Sequence, residues 1–91
     1  MALNTKFKQQ LKAQAHKLKP VVMIGNNGLT EAVNKEIDRA LTDHELIKVR
    51  IATNDRELRR SLFAELAEAN QAAVVQMIGN IGVIYRKNIE K

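Results

Sequence analysis

The sequence predicts one α/β domain, an α+β two-layer arrangement over residues 1–91, with the element order α-β-α-β-α-β-β. Three observations carry that expectation. The chain has 91 residues, enough for one two-layer core and too few for two. Residues 46–52 alternate with period two: Ile47, Val49 and Ile51 point one way, Lys48 and Arg50 the other. Elsewhere, apolar residues recur at helical spacing in separate stretches divided by turn residues.

The first helix is expected over residues 5–18, where Phe7, Leu11, Ala15 and Leu18 form one apolar stripe and Thr5 serves as N-cap. Lys8, Lys12 and Lys19 fall on one flank with His16 nearby, and Lys6 and Lys17 on the other. None of these lysines has an acidic i,i+4 partner, although isolated helices normally mix signs. Lys19-Pro20 ends the helix, because proline disfavours helical geometry in the residue before it and suits the start of a strand. A short buried strand over residues 21–24 follows and stops at Gly25.

Gly25-Asn26-Asn27-Gly28 is a GxxG turn made of residues that tolerate positive φ. Thr30 is an N-cap, and Glu31 sits in the first turn of the second helix, where negative charge is favoured. A glycine turn opening a helix exposes backbone N–H groups where the helix adds partial positive charge, which suits a phosphate. The second helix is expected over residues 31–42, burying Val33, Ile37, Ala40 and Leu41. The alternating strand 46–52 implies a sheet with one covered face and one face open to solvent or a ligand.

Asn54 or Asp55 caps a third helix over residues 56–70, packed through Leu58, Leu62, Phe63, Leu66 and Ala69. Its charges oppose the macrodipole, with Arg56, Arg59 and Arg60 near the N-terminus and Glu65 and Glu68 near the other end. Arg56 and Arg60 also repel at i,i+4. A local rule broken without structural gain flags a functional position. The last segment reads as a hairpin: strands 73–78 and 81–86 around Gly79-Asn80, with Gly82 signalling a bulge or a close approach.

Charge is segregated along the chain. Residues 1–30 carry +5 with no acid, residues 31–45 carry −3, and residues 46–60 carry +3. With a net charge of +5 and a pI near 9.8, a polyanionic partner is the simplest reason for this distribution. There is no cysteine, and no apolar run approaches the roughly 20 residues of a membrane helix. A cytoplasmic protein without cofactor is expected. His16 and His44 lie on different elements without metal spacing, and Ser61 lacks a nucleophile-elbow context, so no enzyme is expected. Phe7, Phe63 and Tyr85 are the only aromatics, and the phenylalanines read as core. If nucleic acid is bound, cations and amides should hold its backbone and shape, because successive bases have no aromatic platform on which to stack.

Read together, Leu18-Lys19-Pro20-Val21-Val22-Met23-Ile24-Gly25-Asn26-Asn27-Gly28-Leu29-Thr30, His44-Glu45-Leu46-Ile47-Lys48-Val49-Arg50, Val75-Gln76-Met77-Ile78-Gly79 and Tyr85-Arg86 resemble the bacterial YhbY proteins. These are the stand-alone form of the CRM domain (chloroplast RNA splicing and ribosome maturation). The resemblance spans essentially the whole chain. It implies a compact four-stranded mixed sheet similar to the C-terminal domain of bacterial translation initiation factor three. It also implies RNA binding, with the bacterial proteins associating with precursors of the large (50S) ribosomal subunit. The GxxG turn resembles the KH-domain loop that clamps nucleic-acid backbone, but a strand precedes it here where KH has a helix.

The expected function is therefore non-catalytic binding of ribosomal RNA on large-subunit precursor particles, by a monomer that does not contact membrane. Gly25, Asn26, Asn27, Gly28 and Thr30 would present amides to a backbone phosphate. Lys8, Lys12 and Lys19 would flank that site, and Lys48, Arg50, Arg56, Arg59 and Arg60 would extend the basic surface. The alternative is an adaptor that docks on an acidic ribosomal or translation factor.

Overall fold

Alternation in β2 (Leu46–Ile51) organises the molecule, because Ile47, Val49 and Ile51 on one side are all fully buried. The computed structural model describes residues 4–25 and 27–88. Its elements are α1 (Thr5–Ala15), β1 (Pro20–Ile24), α2 (Glu31–His44), β2, α3 (Arg56–Ala69), β3 (Ala73–Ile78) and β4 (Ile81–Tyr85). The four strands form one mixed sheet in the order β1-β2-β4-β3. β1 runs parallel to β2, with α2 as the crossover, and the other pairings are antiparallel. The fold is thus the α/β, α+β arrangement that the sequence predicts.

α2 and α3 pack on one face. Val22 and Ile24 of β1, the three β2 residues and Ile84 meet Ile37, Leu41, Phe63 and Leu66 there in one buried cluster. Gly82 permits this approach, since a Cβ there would lie 2.2 Å from Phe63 Cε1. Of the two expectations for Gly82, the close approach is the one realised. The bulge lies instead in the neighbouring strand, where β3 slips register between Val74 and Gln76.

The second face is not fully open, as the alternation alone suggests. α1 lies across part of it, and Leu11 and Ala15 pack on Leu46, Val75 and Val83. Phe7 is only half-buried and meets the Tyr85 ring edge-on, with centroids 5.4 Å apart. Tyr85 is therefore engaged within the protein.

The helix ends follow their caps. Asn4, not Thr5, caps α1 by accepting from Phe7 N–H at 2.7 Å, and the helix stops at Ala15 with Leu18 beyond it. Thr30 caps α2 as expected, and Asp55 caps α3 through Leu58 N–H at 3.1 Å. α2 runs on to His44, two residues past its expected end. In α3, Leu58 and Ala69 are exposed, while Ala67 is buried in addition to Phe63 and Leu66. Arg86 follows β4 and ties the layers together. Its guanidinium pairs with Asp38 at 2.7 Å and donates to the Asn70 carbonyl and the Thr42 hydroxyl.

Candidate functional site

Parallel pairing brings the C-terminal ends of β1 and β2 to one end of the sheet. Ala52 N–H donates to the Ile24 carbonyl at 2.9 Å, and Ile51 N–H to the Asn80 carbonyl at 2.8 Å. The GxxG turn, the loop before α3 and the β3–β4 turn therefore share that end. α2 and α3 both begin there, so two positive helix ends lie at that end of the sheet. In parallel α/β units this is where ligands are usually received.

The geometry of the turn narrows what it can offer. Gly28 has φ +72°, the left-handed region, and its N–H donates to the Gly25 carbonyl at 3.1 Å. That amide is used inside the turn, which corrects the expectation that it presents itself to an anion. The Thr30 hydroxyl is likewise spent on Val33 N–H at 3.2 Å. The amides of Glu31 and Ala32, in the first turn, lack an intrahelical acceptor by construction. Asn27 is exposed, and Asn26 lies outside the described residues. Glu31 sets a carboxylate at the same mouth, where it pairs with Lys35 at 3.6 Å.

The arginines of α3 divide in two. Arg59 is half-buried, and its Nη1 donates to the Thr53 carbonyl at 3.0 Å and to Asn80 Oδ1 at 2.9 Å. It latches the β3–β4 turn to the start of α3, and that is the structural gain absent from the sequence reading. Arg56 and Arg60 are exposed, and the three arginines line a shallow hollow with Met77 and Gly79.

The second face carries the other cations. Register places Met23, Arg50, Ile81 and Ile78 in one row across all four strands. Arg50 is exposed, and Met23 and Ile78 are 61% and 63% exposed. Lys48 sits one step nearer α1, and with Lys12, His16 and Gln76 it lines a hollow floored by Ile78, Ile81 and Val83. Lys8 lies one turn before Lys12 on α1 and is half-buried. Lys19 does not flank the GxxG turn. It precedes β1 while Gly25 follows it, roughly 20 Å away at the rise of a strand. Lys19 instead borders a groove with Lys17, Val21 and His44.

Fold and sequence together sort charge by layer. No acidic residue occurs in α1 or in any strand. Every acidic residue among those described lies in α2, α3 or the positions capping them. Sequence reasoning found most of these cations but missed Met23, Gln76, Ile78 and Ile81 as their neighbours. Only cross-strand register could reveal them, and the slip at Val75 hides the alternation of β3.

The molecule is thus a small basic α/β module with one acid-free, half-covered sheet face. Among the described residues no cluster of three or more His, Cys, Asp or Glu could hold a metal ion. No helix among them is long and apolar enough to cross a membrane. The chain belongs to the CRS1 / YhbY (CRM) domain family, whose model matches residues 3–86. It is 52% identical over 88 residues to a Haemophilus influenzae protein named "RNA-binding protein", covering 97% of this chain and 89% of that one. It is 49% identical over 88 residues to the Pseudomonas aeruginosa "Probable RNA-binding protein PA4753", covering 97% and 85%. The solution structure of Staphylococcus aureus SAV1595, described there as "a putative RNA binding protein", superposes with TM-score 0.84 at 38% identity, covering 96% of this chain and 91% of that one.

Proposed function

We propose that this protein binds RNA without catalysing a reaction, and that its target is ribosomal RNA in precursors of the large ribosomal subunit. The observation that carries this reading is the separation of charge: α1 and the strands carry cations and no carboxylate, which leaves those cations available to a polyanion. The names of the similar bacterial proteins support the RNA part. The chain works as a monomer in the cytoplasm. Backbone phosphates run from the GxxG end, past Arg56 and Arg60, onto Arg50, Lys48 and Lys12. Arg59 shapes that path by holding the β3–β4 turn.

Sucrose-gradient fractionation of a lysate tests the ribosomal role. Co-migration with large-subunit precursors at low salt, lost at high salt, is the expected result, because each phosphate neutralised adds to the salt dependence. Migration at the top of the gradient at both salts would remove the ribosomal target. Gly28→Asp tests the turn. A Cβ there has open space, so the folded protein should survive at a cost of about 1 kcal/mol for the left-handed φ. RNA affinity should fall severalfold as negative charge enters the mouth. Unchanged affinity would take the turn out of the path.

A further inference from the structure

The hollow between α1 and the sheet is built unlike the rest of the basic surface. Its floor is aliphatic, made by Ile78, Ile81 and Val83, and its rim is cationic, made by Lys12 and Lys48 with His16 beside them. Phosphate binding alone needs no apolar floor, and water gains nothing by resting on one. The hollow holds about 160 Å³. An engineered apolar cavity of about 150 Å³ takes in a benzene molecule. The space therefore suits one flat ring. Gln76 is half-buried at the wall, and its side-chain amide makes no hydrogen bond among the described residues. It keeps both a donor and an acceptor free for the edge of a planar heterocycle. Row neighbours extend the apolar strip, with Ile78 63% exposed beside Ile81, and Arg50 stands next to them.

We propose that this hollow is a subsite for a single unpaired RNA base. The base lies on Ile81 and Val83 with its edge on Gln76, while Lys12, Lys48 and Arg50 take the flanking phosphates. The proposal rests on the RNA-binding reading above and deepens it. It also accounts for the scarcity of aromatics, because one aliphatic recess accepts one base and does not stack a run of them. Charge complementarity favours nucleic acid as occupant, since the rim offers cations and no carboxylate. The GxxG turn lies about 10 Å along the strands and about 10 Å across them from this recess, within reach of one RNA segment.

The test compares affinities of the whole protein for oligouridylate, an abasic strand of equal length and charge, and a duplex. Oligouridylate should bind about tenfold tighter than the abasic strand, equivalent to about 1.4 kcal/mol. Gln76→Ala and Ile78→Ala should each bring that ratio towards one. Ile78 is exposed, so its replacement leaves the fold intact. Equal affinity for the base-bearing and abasic strands would overturn the subsite and leave the RNA-binding reading standing. Duplex outcompeting both strands would do the same. Failure to bind any of the three at low salt would overturn both. Loss of oligoglutamate binding in Ile78→Ala, as large as the loss for oligouridylate, would assign the hollow to an acidic protein instead.

Discussion

The two faces of the sheet draw on the same strands and reach opposite ends. On the α2/α3 side, β2 contributes Ile47, Val49 and Ile51, and Phe63 fills the space over Gly82 with no exposed surface. On the α1 side, the intervening β2 residues are Leu46, Lys48 and Arg50, and only the Leu46 end is sealed. The first face is closed by shape, and its carboxylates sit outside it on the helices. The second is left half-closed, with cations and no acid in α1 or the strands, and Glu45 lies beside its sealed end. A sheet needs one filled face to hold its strands in register. Once that is secured, the other can give up burial for an exposed, charged surface.

The sharpest way to break this division is to damage the closed face and look for an effect confined to stability. Phe63→Ala should destabilise the protein by about 3–5 kcal/mol, read from a denaturant midpoint. A loss below about 1 kcal/mol would mean that this face is not the one holding the fold. The converse is Lys12→Gln, Lys48→Gln and Arg50→Gln together. Arg50 is exposed and Lys12 and Lys48 are half-buried at the rim, so stability should fall by no more than about 1 kcal/mol per site. RNA affinity should fall by about tenfold or more, and the slope of log affinity against log salt should flatten by about 0.9 for each phosphate contact removed. A large stability loss with intact RNA binding would reverse the roles of the two faces.

The smallest effect concerns the sealed end of the second face. Burial raises the Tyr85 pKa, and the Glu45 carboxylate raises it further. The folded protein therefore favours the neutral phenol. Its contribution is complete below the ordinary tyrosine value of about 10 and is lost as pH rises through the higher folded value. Tyr85→Phe should flatten that alkaline decline and leave RNA binding at neutral pH unchanged. A decline of the same depth in Tyr85→Phe would place its cause elsewhere.

Much of this was legible from residues alone, because it depends on neighbours in the chain. Helical spacing, the strand start at Pro20, the Thr30 cap and the alternation of β2 each settle conformation within a few residues, whereas α1 ends at Ala15, short of the Lys19-Pro20 stop. The order of elements follows from them. Segregated charge was equally visible, since it is composition read in sequence.

Tertiary structure alone decided what those elements do to one another. Strand order and register assembled Met23, Arg50, Ile81 and Ile78 into one row, although these residues are spread over most of the chain. The link from Arg59 to Asn80, 21 residues away, turned an apparent charge anomaly into a latch. Closure of α1 over half a face depended on Leu11 and Ala15 finding Val75, the residue that the β3 slip leaves unpaired with β4. Local pattern sets which side chains share a face of an element. Which faces then meet is decided by long-range burial, a free energy that belongs to pairs of residues far apart in the chain.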